Sequence, residues 1–145
     1  MPYSQVIVQK LEDVVIYRID KAPYGIRVTF DGMMNEDASK EFTKEFLQVL
    51  AGINGTVGIM IDLRNGKPIS PESQNALNDC YYAVMRKGLT RSANIVSSGL
   101  MKMQMVRRAK ELGTYDKARY IDSTSNSNFE QIALDWIERG IDPDK

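Results

Sequence analysis

The fold is decided by one apolar stretch in the middle of the chain, Val57-Gly58-Ile59-Met60-Ile61-Asp62-Leu63-Arg64. A near-continuous apolar run of this length is typical of a central β-strand that is covered on both faces. A helix start follows at Ser70-Pro71-Glu72, with Ser70 as N-cap, proline at the first helical position and an acidic residue in the first turn. A strand that leads into a helix predicts a βαβ unit and a mainly parallel sheet.

Further patterns extend this unit in both directions along the chain. Short alternating runs before residue 31, with turns at Glu12-Asp13 and Ala22–Gly25, predict a three-stranded antiparallel meander. The remaining expected elements are a helix capped by Asn35 and stopped near Gly52, a helix ending at Gly88, a strand at Ala93–Val96, a helix from about Leu100 to Leu112, a strand at Ala118–Ile121 and a helix from Phe129 to Gly140. The sequence therefore predicts one α/β domain over residues 1–145, in which about six strands form a mixed sheet with four helices and residues 141–145 form a short tail.

Composition excludes several classes of protein. The chain has 145 residues, of which 43% are hydrophobic and 26% charged, as in an ordinary globular domain. It contains no histidine and one cysteine, Cys80, which excludes Ser-His-Asp and Cys-His catalysis and structural zinc. No apolar run approaches the length of a membrane span, and the first residues lack a signal-peptide pattern. We therefore expect a cytoplasmic protein that is not integral to a membrane, with Cys80 as inert packing.

The net charge of zero hides an uneven distribution. Residues 73–120 carry nine basic and three acidic side chains, which is enough to attract an anionic partner but too little to indicate nucleic acid. Within this stretch Met101, Met105, Arg107 and Arg108 form a candidate interaction face for a protein partner or a second copy of the chain. The alternative is that Met101, Met103 and Met105 fill the core together with Val106 and Ala109. Arg107 and Arg108 would then lie on a solvated helix face.

Polar residues follow the predicted strands at their carboxyl ends, where open α/β sheets bind ligands. Asp62, Arg64, Ser70, Ser97, Ser98 and Asp122, together with Ser123 and Thr124, are expected at that edge and form a candidate site for a small anion or polar ligand. Ordinary loop and cap chemistry is the alternative. Asp62 is the best acid–base candidate, but no second carboxylate lies at a fixed spacing from it. The sequence has no phosphate-binding glycine loop and no metal-site signature, so neither a cofactor nor a metal is predicted.

Two serines begin the helix after the central strand. Ser70 and Ser73 are candidate phosphorylation sites, because a phosphate there would meet free N–H groups and the positive end of the helix dipole. The alternative is that Ser70 is a plain helix cap.

The short motifs Phe30-Asp31-Gly32, Ile59–Arg64, Ile69–Glu72 and Arg91–Val96, with Ala133 and Trp136 before Gly140, resemble the SpoIIAA-like (STAS/SEC14-type) family of small bacterial proteins. This resemblance covers nearly the whole chain and implies a STAS-like fold and a binding or regulatory module. In STAS proteins a serine or threonine directly after the central strand is phosphorylated by a partner kinase, within the pattern Asp-Ser-Ser/Thr-Gly. Here Asp62 is followed by Leu63 and Arg64 instead.

Three hypotheses about function follow. The first is a non-catalytic regulatory or protein-interaction module that binds another protein and is switched by phosphorylation. The second is a small-ligand or lipid-binding domain, which the likeness of the family to lipid-carrier folds implies; the methionine-rich helix would then line an apolar pocket. The third and weakest is an enzyme, since no catalytic constellation is visible.

Overall fold

A computed structural model describes residues 6–11, 14–67 and 71–145, with side chains from Ile16 onward. The strands are β1 (Val6–Leu11), β2 (Val14–Ala22), β3 (Gly25–Gly32), β4 (Val57–Gly66), β5 (Leu89–Val96) and β6 (Ala118–Asp122), and the helices are α1 (Glu36–Ala51), α2 (Pro71–Lys87), α3 (Gly99–Leu112) and α4 (Phe129–Arg139). The predicted turn at residues 12–13 and the predicted cap Ser70 lie outside the described residues.

The strands follow one another across the sheet in chain order. Strands β2 to β6 form its main body, and β1 extends the edge by antiparallel pairing with β2. The pairing of β2 with β3 is also antiparallel, whereas β3, β4, β5 and β6 are parallel neighbours. The predicted α/β architecture, with a mixed sheet, an antiparallel meander followed by parallel βα units, and four helices, is confirmed.

The two faces of the sheet bury different cores. On one face α1 and α2 pack on the apolar residues of β2, β3 and β4, around the rings of Phe42 and Phe46. On the other face α4 packs Trp136 and Ile137 against β4, β5 and β6. Successive side chains of a strand point to opposite faces, so β4 contributes Ile59 to the first core and Met60 to the second. Strand β4 therefore lies inside the sheet with both of its faces covered, as its apolar run predicts.

The helix caps match the local sequence. The Asn35 side chain accepts a hydrogen bond from the backbone N–H of Ala38 (2.8 Å) at the start of α1. The Ser98 side chain accepts one from the N–H of Met101 (3.0 Å) at the start of α3, and Gly113 ends α3 in the left-handed conformation. These contacts satisfy backbone groups that a helix end would otherwise leave without partners.

Strand β5 is longer than predicted, because it begins at Leu89 directly after α2 rather than at Ala93. Leu89 pairs with Val57 of β4, and Ser92 pairs with both Ile59 and Ala118. Pairing with β4, joined by β6 at Ser92, therefore extends β5 over a segment that has no alternating apolar pattern of its own.

Helix α3 buries a different face from the predicted one. Ala109 is its only fully buried residue, Met105 and Val106 are half-buried, and Met103, predicted to be inward, is 63% exposed. This helix packs mainly beside β6, the last strand of the sheet, and therefore covers only a narrow stripe.

The backbones of β3 and β4 approach closely where both strands begin. Gly25 has φ +146°, and a Cβ placed there would overlap the carbonyl oxygen of Gly58. We expect Gly25→Ala to lower the free energy of unfolding by more than the 1–2 kcal/mol that a left-handed backbone alone costs. Gly55→Ala is the matched control, because Gly55 has φ +82° with nothing within 4 Å of its Cβ position. Urea unfolding of both variants measures the difference, and equal losses would contradict the close-approach argument.

Candidate functional site

An open cavity lies beside α2, on the face of the sheet that α1 and α2 cover. It has a volume of about 550 Å³ and is open to solvent. Its wall is apolar and aromatic, with contributions from β3, β4, α1 and α2 and from the first residue of β5: Val28, Phe30, Phe42, Phe46, Ile59, Ile61, Leu77, Val84, Met85 and Leu89. Tyr81 and Met85 of α2 also line the cavity and are 45% and 40% exposed.

The part of this cavity that β5 and β6 form is polar, and we call Ser92, Asn94 and Tyr120 the polar floor. Ala93 and Ile95 belong to the core under α4, so Ser92 and Asn94 point to the cavity face. Burial, followed by the nearby Tyr81, raises the pKa of Tyr120, which keeps its hydroxyl protonated at neutral pH. The floor therefore presents uncharged hydrogen-bonding groups beneath an apolar wall.

Cys80 also lines the cavity and is buried. Burial raises the pKa of its thiol to about 11, so the thiolate that a nucleophilic cysteine requires is scarce at neutral pH.

The loop between α3 and β6 forms one rim of the cavity through Gly113, Thr114, Asp116 and Lys117. Beside this rim the Arg119 guanidinium lies over the rings of Tyr115 (3.8 Å) and Trp136 (4.3 Å) and donates two hydrogen bonds to Asp142 (2.9 and 3.0 Å). The hydrogen bond from Arg119 lowers the pKa of Asp142 to about 2.

The C-terminal segment makes further contacts with the same region. Asp144 accepts hydrogen bonds from the Tyr115 hydroxyl and from the Lys102 ammonium. The segment predicted to be a short tail is therefore tied to the rim loop and to α3.

The predicted edge residues fall into two separate clusters. Asp62, 4% exposed, receives hydrogen bonds from Arg64 (2.7 Å) and from Arg27 (3.2 Å), and Arg27 also pairs with Glu130 of α4 (2.7 Å). The Arg64 guanidinium lies 4.6 Å from the centroid of the Phe129 ring. Burial alone would raise the pKa of Asp62, but the hydrogen bonds and charges of the two arginines outweigh it and hold the pKa below its usual range. This cluster joins β3 and β4 to the start of α4.

The second cluster surrounds Asp122 at the end of β6. Its carboxylate accepts hydrogen bonds from Thr124 (2.6 and 2.9 Å) and from the Ser125 hydroxyl (2.9 Å), and those from Thr124 are the main cause of its lowered pKa. Ser97 is exposed, and Ser98 is occupied as the cap of α3. Asp122 and Asp62 belong to opposite faces of the sheet, since Asp122 shares the face of Tyr120 and Asp62 that of Met60. The two carboxylates therefore lie at the carboxyl ends of their strands but on different faces of the sheet.

Of the two candidate phosphorylation sites, Ser73 lies within the described residues. Ser73 is completely buried, and its hydroxyl donates a hydrogen bond to the carbonyl of Met34 (3.4 Å). Ser70 lies outside the described residues.

The candidate interaction face on α3 is split. Met101 and Met105 are half-buried, while Arg107 and Arg108 are exposed and Arg107 pairs with Glu111 (3.4 Å). The most exposed apolar side chains of α3 are Leu100, Met103 and Leu112 instead. No methionine of α3 is among the residues that line the cavity.

Sequence reasoning missed the polar floor and the rim loop. The signal for the floor was the alternation Ser92-Ala93-Asn94-Ile95, in which small polar residues occupy one face of a central strand. Nothing local marked the rim, because its shape depends on contacts with the C-terminal segment.

Comparison with known proteins supports the fold. A solved structure of an uncharacterised protein of the DUF3478 family from Shewanella loihica PV-4, described as having a SpoIIAA-like fold, aligns over 92% of each chain with a TM-score of 0.56 and 17% identity. The architecture is therefore that of the SpoIIAA-like fold, and the resemblance noted in the sequence is confirmed at the level of fold. No family model matches the chain, and no curated protein matches it. In the described part of the chain, no helix is both long and apolar enough to cross a bilayer.

The Asp62 cluster gives a prediction about stability and pH. Asp62→Asn removes the charge that faces two arginines, and breaking such a buried pair costs about 3–5 kcal/mol. The pKa of Asp62 is lower in the folded than in the unfolded state. Its contribution to the free energy of unfolding is therefore complete above the unfolded pKa of about 4, and it is lost as the pH falls through the folded pKa. Urea unfolding at neutral pH should therefore give a lower free energy of unfolding for the variant than for wild type, and this difference should become smaller towards pH 2. Asp79→Asn, at an exposed position, is the control. A pH-independent gap would contradict the ionic role.

Ser73 gives a second prediction. Ser73→Ala should lower the free energy of unfolding by about 1 kcal/mol, the usual net loss for a side-chain hydrogen bond such as that from the Ser73 hydroxyl to the Met34 carbonyl. Ser73→Asp should cost several times more, because it forces a carboxylate between α1 and α2. Thermal unfolding compares the two variants, and equal stability would show that this position accepts a negative charge without opening the helix pair.

Proposed function

We propose that the chain is a non-catalytic module that binds a small, largely apolar molecule in the cavity beside α2. The observation that carries this proposal is the cavity itself, with its apolar and aromatic wall. Its volume of about 550 Å³ lies within the roughly 300–1,000 Å³ typical of ligand pockets.

The size of the cavity argues against a packing defect. An empty cavity costs about 24 cal/mol per Å³, so a closed void of this volume would cost roughly 13 kcal/mol, as much as the whole stability of a typical domain. The opening beside Tyr81 and Met85 instead admits water. A ligand that displaces this water gains about 25 cal/mol for each Å² of apolar surface that it buries.

The chemistry of the lining supports binding rather than catalysis. Burial raises the pKa of both Cys80 and Tyr120, which leaves them protonated at neutral pH. The charged lining residues, Asp116 and Lys117, are neighbours on the rim loop rather than groups facing each other across the cavity. This favours the second of the three sequence-based hypotheses, and a ligand bound here would still be compatible with a regulatory role in the cytoplasm.

A protein-interaction role is the second candidate, and one observation favours it. Leu100, Met103 and Leu112 are exposed on α3, close in sequence to the exposed Arg107 and Arg108. Exposed apolar side chains beside basic ones suit an acidic protein partner or a second copy of the chain.

Titration with N-phenyl-1-naphthylamine, an uncharged dye that fluoresces in apolar surroundings, tests the proposed function. We expect saturable binding of one dye per chain. Ala118→Phe places a ring in the cavity and should weaken binding at least tenfold while the protein stays folded in thermal unfolding, because Ala118 lines the cavity beside Ser92. Ala51→Phe, at an exposed position at the end of α1, is the matched control and should bind as wild type does.

Two outcomes would contradict the proposal. One is that wild type does not bind the dye saturably. The other is that Ala118→Phe and Ala51→Phe weaken binding equally. Native mass spectrometry of protein purified from its own cells adds an independent measurement, because a retained ligand appears as extra mass that denaturation releases.

A further inference from the structure

We infer, on the basis of the proposed function, that the ligand is an uncharged amphiphile whose hydroxyl or carbonyl group is bound by Ser92, Asn94 and Tyr120. The apolar body of such a ligand lies against the wall formed by α1, α2, β3 and β4. Long-chain alcohols, monoacylglycerols and similar neutral lipids belong to this class, whereas fatty-acid anions and phospholipids do not.

The register of the sheet produces a polar side and an apolar side in one continuous surface. One row of paired residues crosses β3 to β6 on the cavity face as Val28, Ile61, Asn94 and Tyr120. The next row crosses as Ile26, Ile59, Ser92 and Ala118. Each row is aliphatic on β3 and β4 and carries a polar residue on β5. A ligand lying across the strands therefore meets apolar side chains at one end and hydrogen-bonding groups at the other.

The polar floor is compact enough to bind one functional group. Asn94 and Tyr120 are direct partners on neighbouring strands, which lie about 4.8 Å apart. Ser92 precedes Asn94 by two residues on the same face, a separation of about 6.6 Å along the strand.

The groups of the floor have spare hydrogen-bonding capacity. Asn94 is only 7% exposed, and its Nδ2 donates to the carbonyl of Arg119 (3.3 Å). The described residues supply no hydrogen-bond partner for its Oδ1, for the Ser92 hydroxyl or for the Tyr120 hydroxyl. These residues line the open cavity, so water or a ligand group can complete these bonds.

The available donors and acceptors match an uncharged oxygen. A ligand hydroxyl would donate to Asn94 Oδ1 and accept from Tyr120, and a ligand carbonyl would accept from the two hydroxyls. Among the described residues that line the cavity, none gives a carboxylate a cation at the floor. The Lys117 ammonium is on the rim, where it donates to the carbonyl of Leu89 (3.2 Å) and its chain neighbour is Asp116. Arg119 lies on the opposite face of β6 and pairs with Asp142. Burying an unpaired charge at the floor would be strongly unfavourable.

Displacement of the bound dye by ten-carbon ligands with different head groups tests this inference. Decanol, sodium decanoate and decylammonium chloride are compared at neutral pH below their micelle-forming concentrations. We expect decanol to displace the dye at least tenfold more effectively than either charged ligand. Tyr120→Phe, which removes only the hydroxyl, should weaken decanol about five- to tenfold and leave dye binding within about twofold.

Tyr82→Phe is the matched control, since Tyr82 is exposed on α2 and is not among the residues that line the cavity. Asn94→Leu is a second variant that should also weaken decanol selectively. If the dye binds but decanoate competes as well as decanol, or if Tyr120→Phe and Asn94→Leu leave decanol unaffected, the inference about ligand class is wrong while the proposed function stands. If the dye does not bind to wild type, the proposed function itself fails.

Discussion

The close approach of β3 and β4 at Gly25 and Gly58 is the constraint on which the rest of the structure depends. A side chain on Gly25 would overlap the backbone of Gly58, and one on Gly58 would meet Ile137 of α4. The two strands are therefore held in one register, because a shift by one residue would exchange the two faces of the sheet. That register places Val28 and Ile61 towards the cavity and Arg27 and Asp62 towards α4.

Because of this register, the two faces of the sheet carry different kinds of side chain. On the α4 face the ion pairs of Asp62 with Arg27 and Arg64 join the sheet to α4, whose N-cap residue Asn128 makes no side-chain capping bond. The charged groups that looked like a site are thus satisfied by one another. On the other face α1 and α2 pack on apolar residues of β2 to β4, while β5 and β6 contribute polar side chains to the open cavity. Satisfied charges stabilise the fold, and unsatisfied neutral groups are the ones that remain free for a ligand.

Much of the fold was predictable because its signals are local. The apolar run at Val57–Leu63, the cap at Asn35 and the glycine at Gly113 each determine an element through short-range physics, and the order of elements then determines a mixed sheet. The extent of β5 and the buried face of α3 were not predictable in the same way. Leu89–Ser92 become a strand because they lie beside β4, with β6 joining at Ser92, and Met103 is exposed because α3 packs beside the last strand.

The candidate site was harder to predict than the fold for a related reason. Charged residues and serines can be recognised in a sequence by their type, which is why Asp62, Asp122 and the serines were candidates. A cavity cannot be recognised in this way, because it forms where several elements that are distant in sequence leave a surface uncovered. Ser92, Asn94 and Tyr120 are unremarkable in the sequence, and they form the floor of a cavity because α2 leaves this part of the face open and the rim loop lies beside it. The rim is in turn held by Arg119, whose guanidinium stacks on Tyr115 and Trp136 and binds Asp142. The shape of the cavity therefore depends on contacts between β6, α4 and the C-terminal segment, and a change in any of these would alter that shape without touching a residue that lines it.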